Sequence, residues 1–302
     1  CWRNSKIAVI GAGRIGKVIA EMLRGKGVHV ELWNRAPKRL ARQRSLGEII
    51  PGARFVFLCV PSWAVREVLG NVKPYLSEGT RVVSPSKGIE EKTLKYVDHI
   101  LEDFVSPDKL ALLMGSAMAE EMKQGMIGVG VVGVKDRMVF SELHRMFDGT
   151  ELKLEYSPDV RGVAIGGVLK NVYATGLGIA SGLVWGDNAR GWLVPKMAHE
   201  MSELAGILGV ESKTVLGSAG LGDLVTTGFS QYSRNRKVGD ALVRGERGMR
   251  SEGLVSIPSL ITLLNGRTDH LPVLNTLDRV VVKMEPAENA FENLINTECG
   301  LG

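Results

Sequence analysis

Scarcity narrows the reading of this chain before any motif does. Its 302 residues hold three cysteines, Cys1, Cys59 and Cys299, too few and too scattered for a disulfide framework or a zinc site. A reducing, cytoplasmic setting is therefore expected. The five histidines are dispersed. His199-Glu200 lacks the second histidine of H-E-x-x-H, and G-x-S-x-G does not occur, so neither zinc hydrolysis nor serine catalysis is indicated and no metal is expected. No stretch of about 18 uninterrupted apolar residues exists, and the first apolar run, Ile7 to Ile10, enters a glycine-rich turn instead of a small-residue cleavage site. Neither a membrane span nor a secretory signal is expected. Acidic side chains number 33 against 38 basic ones, a net charge of +5. That balance favours small anionic ligands without requiring nucleic acid, which is not expected as a partner.

The remaining composition is that of a folded globular chain, with 44% apolar and 24% charged residues. At roughly 150 residues per domain, two domains are expected. Residues 6 to 157 alternate short β-type runs with helical patterns, the rhythm of parallel sheets with crossover helices. The strand candidates are Ile7 to Ile10, Val28 to Trp33, Phe55 to Val60, Arg81 to Val83, Leu110 to Met114, Val129 to Val134 and Leu152 to Tyr156. After Ser157-Pro158 the strand signals stop, and apolar spacings of three and four take over, as in Met197, Met201, Leu204 and Leu208. The expected fold class is α/β: a Rossmann-type parallel-sheet domain over residues 1–158, followed by an all-α domain over 159–302. Met114, Met118, Met122 and Met126 fall at helical spacing and read as core packing.

The first strand runs directly into Gly11-Ala12-Gly13-Arg14-Ile15-Gly16, followed by a helical pattern. This is G-x-G-x-x-G in the strand–turn–helix context it requires. The first glycine allows the tight turn, the second lets backbone approach a pyrophosphate, and the third allows close helix packing. NAD-preferring sites usually place Asp or Glu at the end of the second strand, but Asn34 stands there. Arg35, Lys38, Arg39, Arg42 and Arg44 follow with no acid before Glu48, a surplus suited to a 2′-phosphate, so NADP is the expected cofactor and NAD a possible one.

Three other segments carry candidate chemistry. Glycine-rich Gly217 to Asp223 leads through Thr226-Thr227 to Ser233-Arg234-Asn235-Arg236, where Ser233 reads as a helix N-cap with Arg234 and Asn235 in the first turn. Backbone donors, the helix dipole and a guanidinium fork together suit a phosphate dianion. Lys170 lies in the otherwise small or apolar stretch from Gly162 to Gly186, and a desolvated lysine there is readied for proton transfer. Lys87 directly follows the strand Arg81 to Val83, at a strand C-terminal end where open α/β sheets bind ligands.

With these segments in order, the chain resembles the bacterial-type NAD(P)-dependent glycerol-3-phosphate dehydrogenases almost from end to end. The second half carries the most specific likeness: Asp159 to Val163, Leu169-Lys170-Asn171, Gly186 to Arg190, Gly220 to Leu224 and Ser233 to Arg236 are similar to family signatures at family spacing. The resemblance implies reversible reduction of dihydroxyacetone phosphate to sn-glycerol 3-phosphate, the precursor of the phospholipid backbone, by a cytoplasmic homodimer. It also implies that Lys170 protonates the ketone oxygen, with Lys87 and Asp223 as polar catalytic partners. Lys87, Gly115, Asn171, Thr227, Ser233, Arg234 and Asn235 would contact substrate. Gly11, Gly13, Arg14, Ile15, Gly16, Asn34, Arg35, Lys87, Ala119, Arg234 and Glu252 would contact cofactor.

The sequence departs from the family pattern at three places. Gly115-Ser116-Ala117-Met118-Ala119 lacks the hydroxyl expected at position 117, and the stretches from Arg35 to Phe55 and from Gly245 to Glu252 are short. Two alternatives remain beside the resemblance. A two-domain reductase of 3-hydroxy acid or ketopantoate type would share the first domain, and Ser233 to Arg236 argues against it. A non-catalytic NADP-sensing protein is argued against by the retention of Lys170, Lys87 and Asp223 together.

Overall fold

The computed structural model describes residues 5–36 and 44–300. They divide into two compact units, one within Cys1–Lys87 and Lys95–Ala164, the other within Gly88–Leu94 and Ile165–Gly302.

The first unit is built on seven strands: β1 (Lys6–Ile10), β2 (His29–Trp33), β3 (Ala53–Leu58), β4 (Arg81–Ser84), β5 (Leu110–Met114), β6 (Gly128–Gly133) and β7 (Leu152–Ser157). All seven sequence candidates are strands, with ends shifted by at most two residues. They lie in the order β2-β1-β3-β4-β5-β6-β7. Every neighbouring pair is parallel except β5 with β6, which is antiparallel. The reason lies in the connection: between Met114 and Gly128 the chain forms only the four-residue helix Ala119–Met122, whereas a parallel return needs a full crossover, usually a long helix.

Ile7 to Ile10 and Phe55 to Leu58 are wholly buried, as strands covered on both faces must be. Alternate residues Ile7, Val9, Phe55 and Phe57 point to one face and join Val18, Ile19 and Leu23 of helix α1 (Arg14–Gly25) in a single apolar cluster, together with Leu143, Met146 and Phe147. Burying each such side chain contributes about 1.5–3 kcal/mol. Because β1 lies between β2 and β3, the chain reverses its direction of travel across the sheet at the β1/β3 crevice, the place where open α/β sheets bind ligands. The expected methionine stripe is not helical: Met114 ends β5, Met122 closes the short helix, and Met126 is exposed.

The second unit is helical. Its principal elements are α2 (Val160–Gly182), α3 (Asp187–Ile207), α4 (Asp223–Phe229), α5 (Arg234–Val243), α6 (Glu252–Leu264), α7 (Pro272–Val281) and α8 (Ala287–Glu298). By compactness the boundary between the units falls at Ala164/Ile165, inside α2. Asp159 Oδ1 accepts from Gly162 N at 2.8 Å and starts the helix. Its first turn then packs on the sheet, where a Cβ on Gly133 would meet Val163 at 3.0 Å. By length and mean hydropathy, 1.3, α2 would suit a membrane, but its most apolar window is entirely buried in the protein. Such a helix is what the centre of a helical core requires. It runs in backbone contact with α5: a Cβ on Gly178 would lie 2.2 Å from the Arg236 carbonyl oxygen, and one on Gly239 would lie 2.1 Å from that of Thr175.

Candidate active site

In the first unit, the glycine turn has the three-part geometry that dinucleotide binding requires. Gly11 adopts φ +110°, and a Cβ there would lie 2.3 Å from the Cys59 carbonyl oxygen. Gly16 has the same constraint, since its Cβ would meet the Gly11 carbonyl oxygen at 2.0 Å. Gly13 differs: nothing lies within 4 Å of a Cβ built on it. The middle glycine therefore faces open space at the N-terminus of α1, whose first turn carries no acid and no side-chain cap. Orphan N–H groups and the positive end of the helix dipole suit a pyrophosphate there, so the residues present fit a dinucleotide.

Asn34 ends up serving the turn as well as the strand end. Its Oδ1 accepts from Ala12 N at 3.3 Å, and its Nδ2 donates to the Ala36 carbonyl at 3.0 Å. Arg35 follows with a 3.5 Å contact to Glu67, both side chains largely exposed. Lys38, Arg39 and Arg42 lie outside the described residues, while Arg44 is drawn to Glu31 at 2.7 Å. Arg14 opens α1 and pairs with Glu120 at 2.6 Å, and Ile15 packs against the core. Ala119 is buried at the start of its short helix.

Lys87 follows β4, and its Nζ donates to the Gly115 carbonyl at 3.4 Å, so these two candidates share adjacent strand ends. Gly115 has φ +116°, and a Cβ there would lie 2.5 Å from the Val129 carbonyl oxygen, so the position takes glycine on both counts. Ala117 packs partly buried against the apolar cluster. Cys59, buried just past the end of β3, has its thiol pushed up to about 12 by desolvation, which makes it inert packing.

In the second unit Lys170, Asp223 and Thr227 come together, and Asn171 meets Asn235. Lys170, from the middle of α2, is buried, and its Nζ donates to Thr227 Oγ1 at 2.9 Å and lies 3.2 Å from Asp223 Oδ2. Thr227 Oγ1 in turn donates to Asp223 Oδ1 at 3.0 Å. Asp223 and Thr227 are one turn apart on α4, which is why both reach the same ammonium. An ammonium out of water is tolerable only with such a carboxylate and hydroxyl beside it.

Next to Lys170, Asn171 Oδ1 accepts from Asn235 Nδ2 at 2.7 Å, and Asn235 Oδ1 accepts from Gly253 N at 2.9 Å. Ser233 caps α5 as expected, accepting from Arg236 N at 3.1 Å. Arg234 is exposed in the first turn, its Nε held by the Arg250 carbonyl. Glu252 opens α6, whose cap is Ser251. The glycine-rich run does not offer its backbone donors as anticipated. Ser218–Gly222 forms a π-helical turn in which Gly220 N and Gly222 N both bond to the Gly217 carbonyl, and Gly220 is packed so closely that a Cβ would lie 2.0 Å from the Val215 carbonyl oxygen.

Sequence reasoning missed Glu200. Its carboxylate accepts from the Tyr173 hydroxyl at 2.8 Å and from the N–H groups of Val273 and Leu274, capping α7 from a distance. Burial pushes its pKa up to about 7. The available signal was a charged residue within the apolar stripe of Leu193, Met197, Met201 and Leu204.

A glycine turn at the switch point of a doubly wound sheet, followed by a helical unit with a buried lysine–aspartate pair, defines a Rossmann-type dinucleotide-binding protein with an appended all-α unit. The chain belongs to the NAD-dependent glycerol-3-phosphate dehydrogenase family. The N-terminal family model matches residues 34–140 and the C-terminal one residues 159–292. A glycerol-3-phosphate dehydrogenase [NAD(P)+] from Moorella thermoacetica is 34% identical over 97% of this chain and 96% of its own length. The crystal structure of glycerol-3-phosphate dehydrogenase from Coxiella burnetii matches with a TM-score of 0.88 at 25% identity, covering 97% of this chain and 99% of that one. A ketopantoate reductase from Ralstonia eutropha shares the fold at a TM-score of 0.58 and 21% identity, over 94% of this chain and 99% of that one.

Proposed function

We propose that the protein is an NAD(P)-dependent glycerol-3-phosphate dehydrogenase that interconverts dihydroxyacetone phosphate and sn-glycerol 3-phosphate. The observation that carries this reading is the buried Lys170 held by Asp223 and Thr227 in a chain of this family. Bound nicotinamide supplies the hydride in one direction and accepts it in the other. As charge develops on the ketone oxygen, Lys170 stabilises it and delivers a proton. In reverse Lys170 accepts that proton. Asp223 and Thr227 hold the ammonium in position. Arg234, at the start of the capped helix α5, takes the phosphate dianion, supported by Ser233 and Asn235. Asn171 supplies a further polar contact to substrate. Because dihydroxyacetone phosphate has few atoms beyond its phosphate, the phosphate contact provides much of the energy that orients the carbonyl.

In the first unit Gly11, Gly13 and Gly16 seat the pyrophosphate, and Asn34 and Arg35 set the preference for NADPH. The product serves as the backbone of phospholipids and the protein works as a homodimer, a reading supported by family resemblance, and a cytoplasmic setting is supported by the free thiols of Cys59 and Cys299.

The test is NADPH oxidation measured with dihydroxyacetone phosphate, with unphosphorylated dihydroxyacetone and with ketopantoate. Rapid oxidation with the first alone is expected. Preference for ketopantoate would overturn the assignment.

A further inference from the structure

Arg236 stands just beyond Arg234 in the first turn of α5, and it ties that turn to two other helices. Its backbone N–H donates to the Ser233 cap at 3.1 Å, its Nη1 to the Phe229 carbonyl that ends α4 at 3.3 Å, and its Nη2 to Ser181 Oγ near the end of α2 at 3.1 Å. The last carbonyls of a helix have no partner within it, so the guanidinium answers a need of α4 as well as reaching α2. The connection from Phe229 to Ser233 is closed by its own bonds. Ser230 N donates to the Thr226 carbonyl at 3.1 Å, Tyr232 N to Ser230 Oγ at 3.1 Å, and Ser233 N to the Ser230 carbonyl at 3.3 Å.

The backbone of Arg236 is also seated directly on α2. A Cβ on Gly178 would lie 2.2 Å from the Arg236 carbonyl oxygen and 2.8 Å from its Cα, so only glycine lets the two main chains meet there. Ser181 lies one turn further along the same face of α2. Backbone contact at Gly178 and the fork on Ser181 together leave the start of α5 little freedom to slide or roll along α2.

Building on the proposed dehydrogenase reading, we infer that Arg236 is a positioning residue that sets the register between the phosphate-binding start of α5 and the helix α2 that carries Lys170. It acts through Phe229 and Ser181 and makes no contact with substrate. The phosphate taken at Arg234 and the ketone oxygen presented to Lys170 belong to one small molecule of fixed length, so the two helices must keep one alignment for both contacts to be made together. With the register loosened, Arg234 still captures the phosphate, but the carbonyl arrives out of place. The loss therefore falls on kcat rather than on KM. Arginine suits the task because its planar fork spans acceptors on two different helices, which the single point charge of a lysine does not.

Two variants test the register. Arg236→Lys keeps the charge and loses the fork, while Ser181→Ala removes the anchor on α2 and leaves every arginine in place. kcat and KM for dihydroxyacetone phosphate are measured in wild type and both variants, with the slow reduction of dihydroxyacetone, NADPH affinity and thermal unfolding followed on the same samples. Arg236→Lys should lower kcat roughly tenfold or more, the size of one lost charge-assisted hydrogen bond, and Ser181→Ala roughly threefold or more. In both, KM, NADPH affinity and the reduction of dihydroxyacetone should stay within about twofold of wild type. Ser181→Ala, the milder change, carries the test if Arg236→Lys does not fold. A rise in KM with kcat unchanged would make Arg236 a direct phosphate contact and overturn the register. Wild-type kinetics in Ser181→Ala, or an equal loss with dihydroxyacetone, overturns it as well. A wild-type protein that does not turn over dihydroxyacetone phosphate overturns the dehydrogenase reading instead. Amide hydrogen exchange then judges the register separately. Faster exchange in Ser181→Ala at Arg236 and Lys237, whose N–H groups bond to Ser233, supports it, and exchange as in wild type contradicts it.

Discussion

Lys170 Nζ and Asp223 Oδ2 lie 3.2 Å apart with both side chains removed from solvent. Removing one partner of such a buried pair leaves an uncompensated charge and costs about 3–5 kcal/mol, whereas removing both costs less. Lys170→Ala should lower turnover by at least roughly a hundredfold, the usual size of lost acid catalysis, while NADPH binding stays nearly unchanged. The Lys170→Ala, Asp223→Ala double variant should be equally inactive yet unfold at a higher temperature than Lys170→Ala alone. Wild-type turnover in Lys170→Ala would remove the lysine from the chemistry.

Arg234 sits exposed in the first turn of α5, beside its Ser233 cap. Losing a charge-assisted contact to a dianion should cost about 2–3 kcal/mol in transition-state stabilisation. Arg234→Ala should therefore depress kcat/KM for dihydroxyacetone phosphate and leave the slow reduction of dihydroxyacetone untouched. Equal loss for both substrates would place the phosphate contact elsewhere.

Arg35 immediately follows the end of β2, and its contact with Glu67 is long and solvent-exposed, a pairing of little energetic weight. The guanidinium is thus readily redirected to a 2′-phosphate, and Asn34 presents no carboxylate to repel one. Wild type should favour NADPH over NADH in kcat/KM, and Arg35→Ala should lose roughly tenfold or more for NADPH alone. A wild-type preference for NADH, or equal loss for both cofactors, contradicts this.

Glu200 predicts a pH dependence of stability. Its carboxyl is pushed from 4.5 up to about 7 by burial, so over that interval the folded chain keeps a proton that the unfolded chain has released. The contribution is therefore fully present below about pH 4.5 and is lost as pH rises through about 7, on the order of 3 kcal/mol in all. Glu200→Gln lacks this titration. The stability of wild type relative to Glu200→Gln, measured by urea unfolding, should fall steadily from pH 5 to pH 8. A pH-independent difference would show that Glu200 titrates normally.

The strands and the glycine turn were legible because their signals are local. Ile7 to Ile10 is an apolar run, and the spacing of Gly11, Gly13 and Gly16 between a strand and a helix is read within a few residues of the chain. Lys170 was legible because a lone lysine in an apolar helix is an anomaly. The antiparallel β5–β6 pairing was not read, because pairing direction depends on what the connection can span. Gly217 to Gly222 resembled a ligand-binding loop, since packing glycines and ligand-facing glycines look alike in sequence. Gly253, Asn235 and Glu200 act through partners 18 to 74 residues away, and no local pattern records such pairings.

The account as a whole rests on hydride transfer to the ketone carbon of dihydroxyacetone phosphate, and isotope transfer measures that event directly. NADPH carrying deuterium at the transferable position is incubated with the protein and dihydroxyacetone phosphate, and the product is analysed by mass spectrometry. The account predicts sn-glycerol 3-phosphate with one deuterium on the carbinol carbon for each NADPH consumed. Unlabelled product, label on another carbon, or NADPH consumption without glycerol 3-phosphate would contradict it.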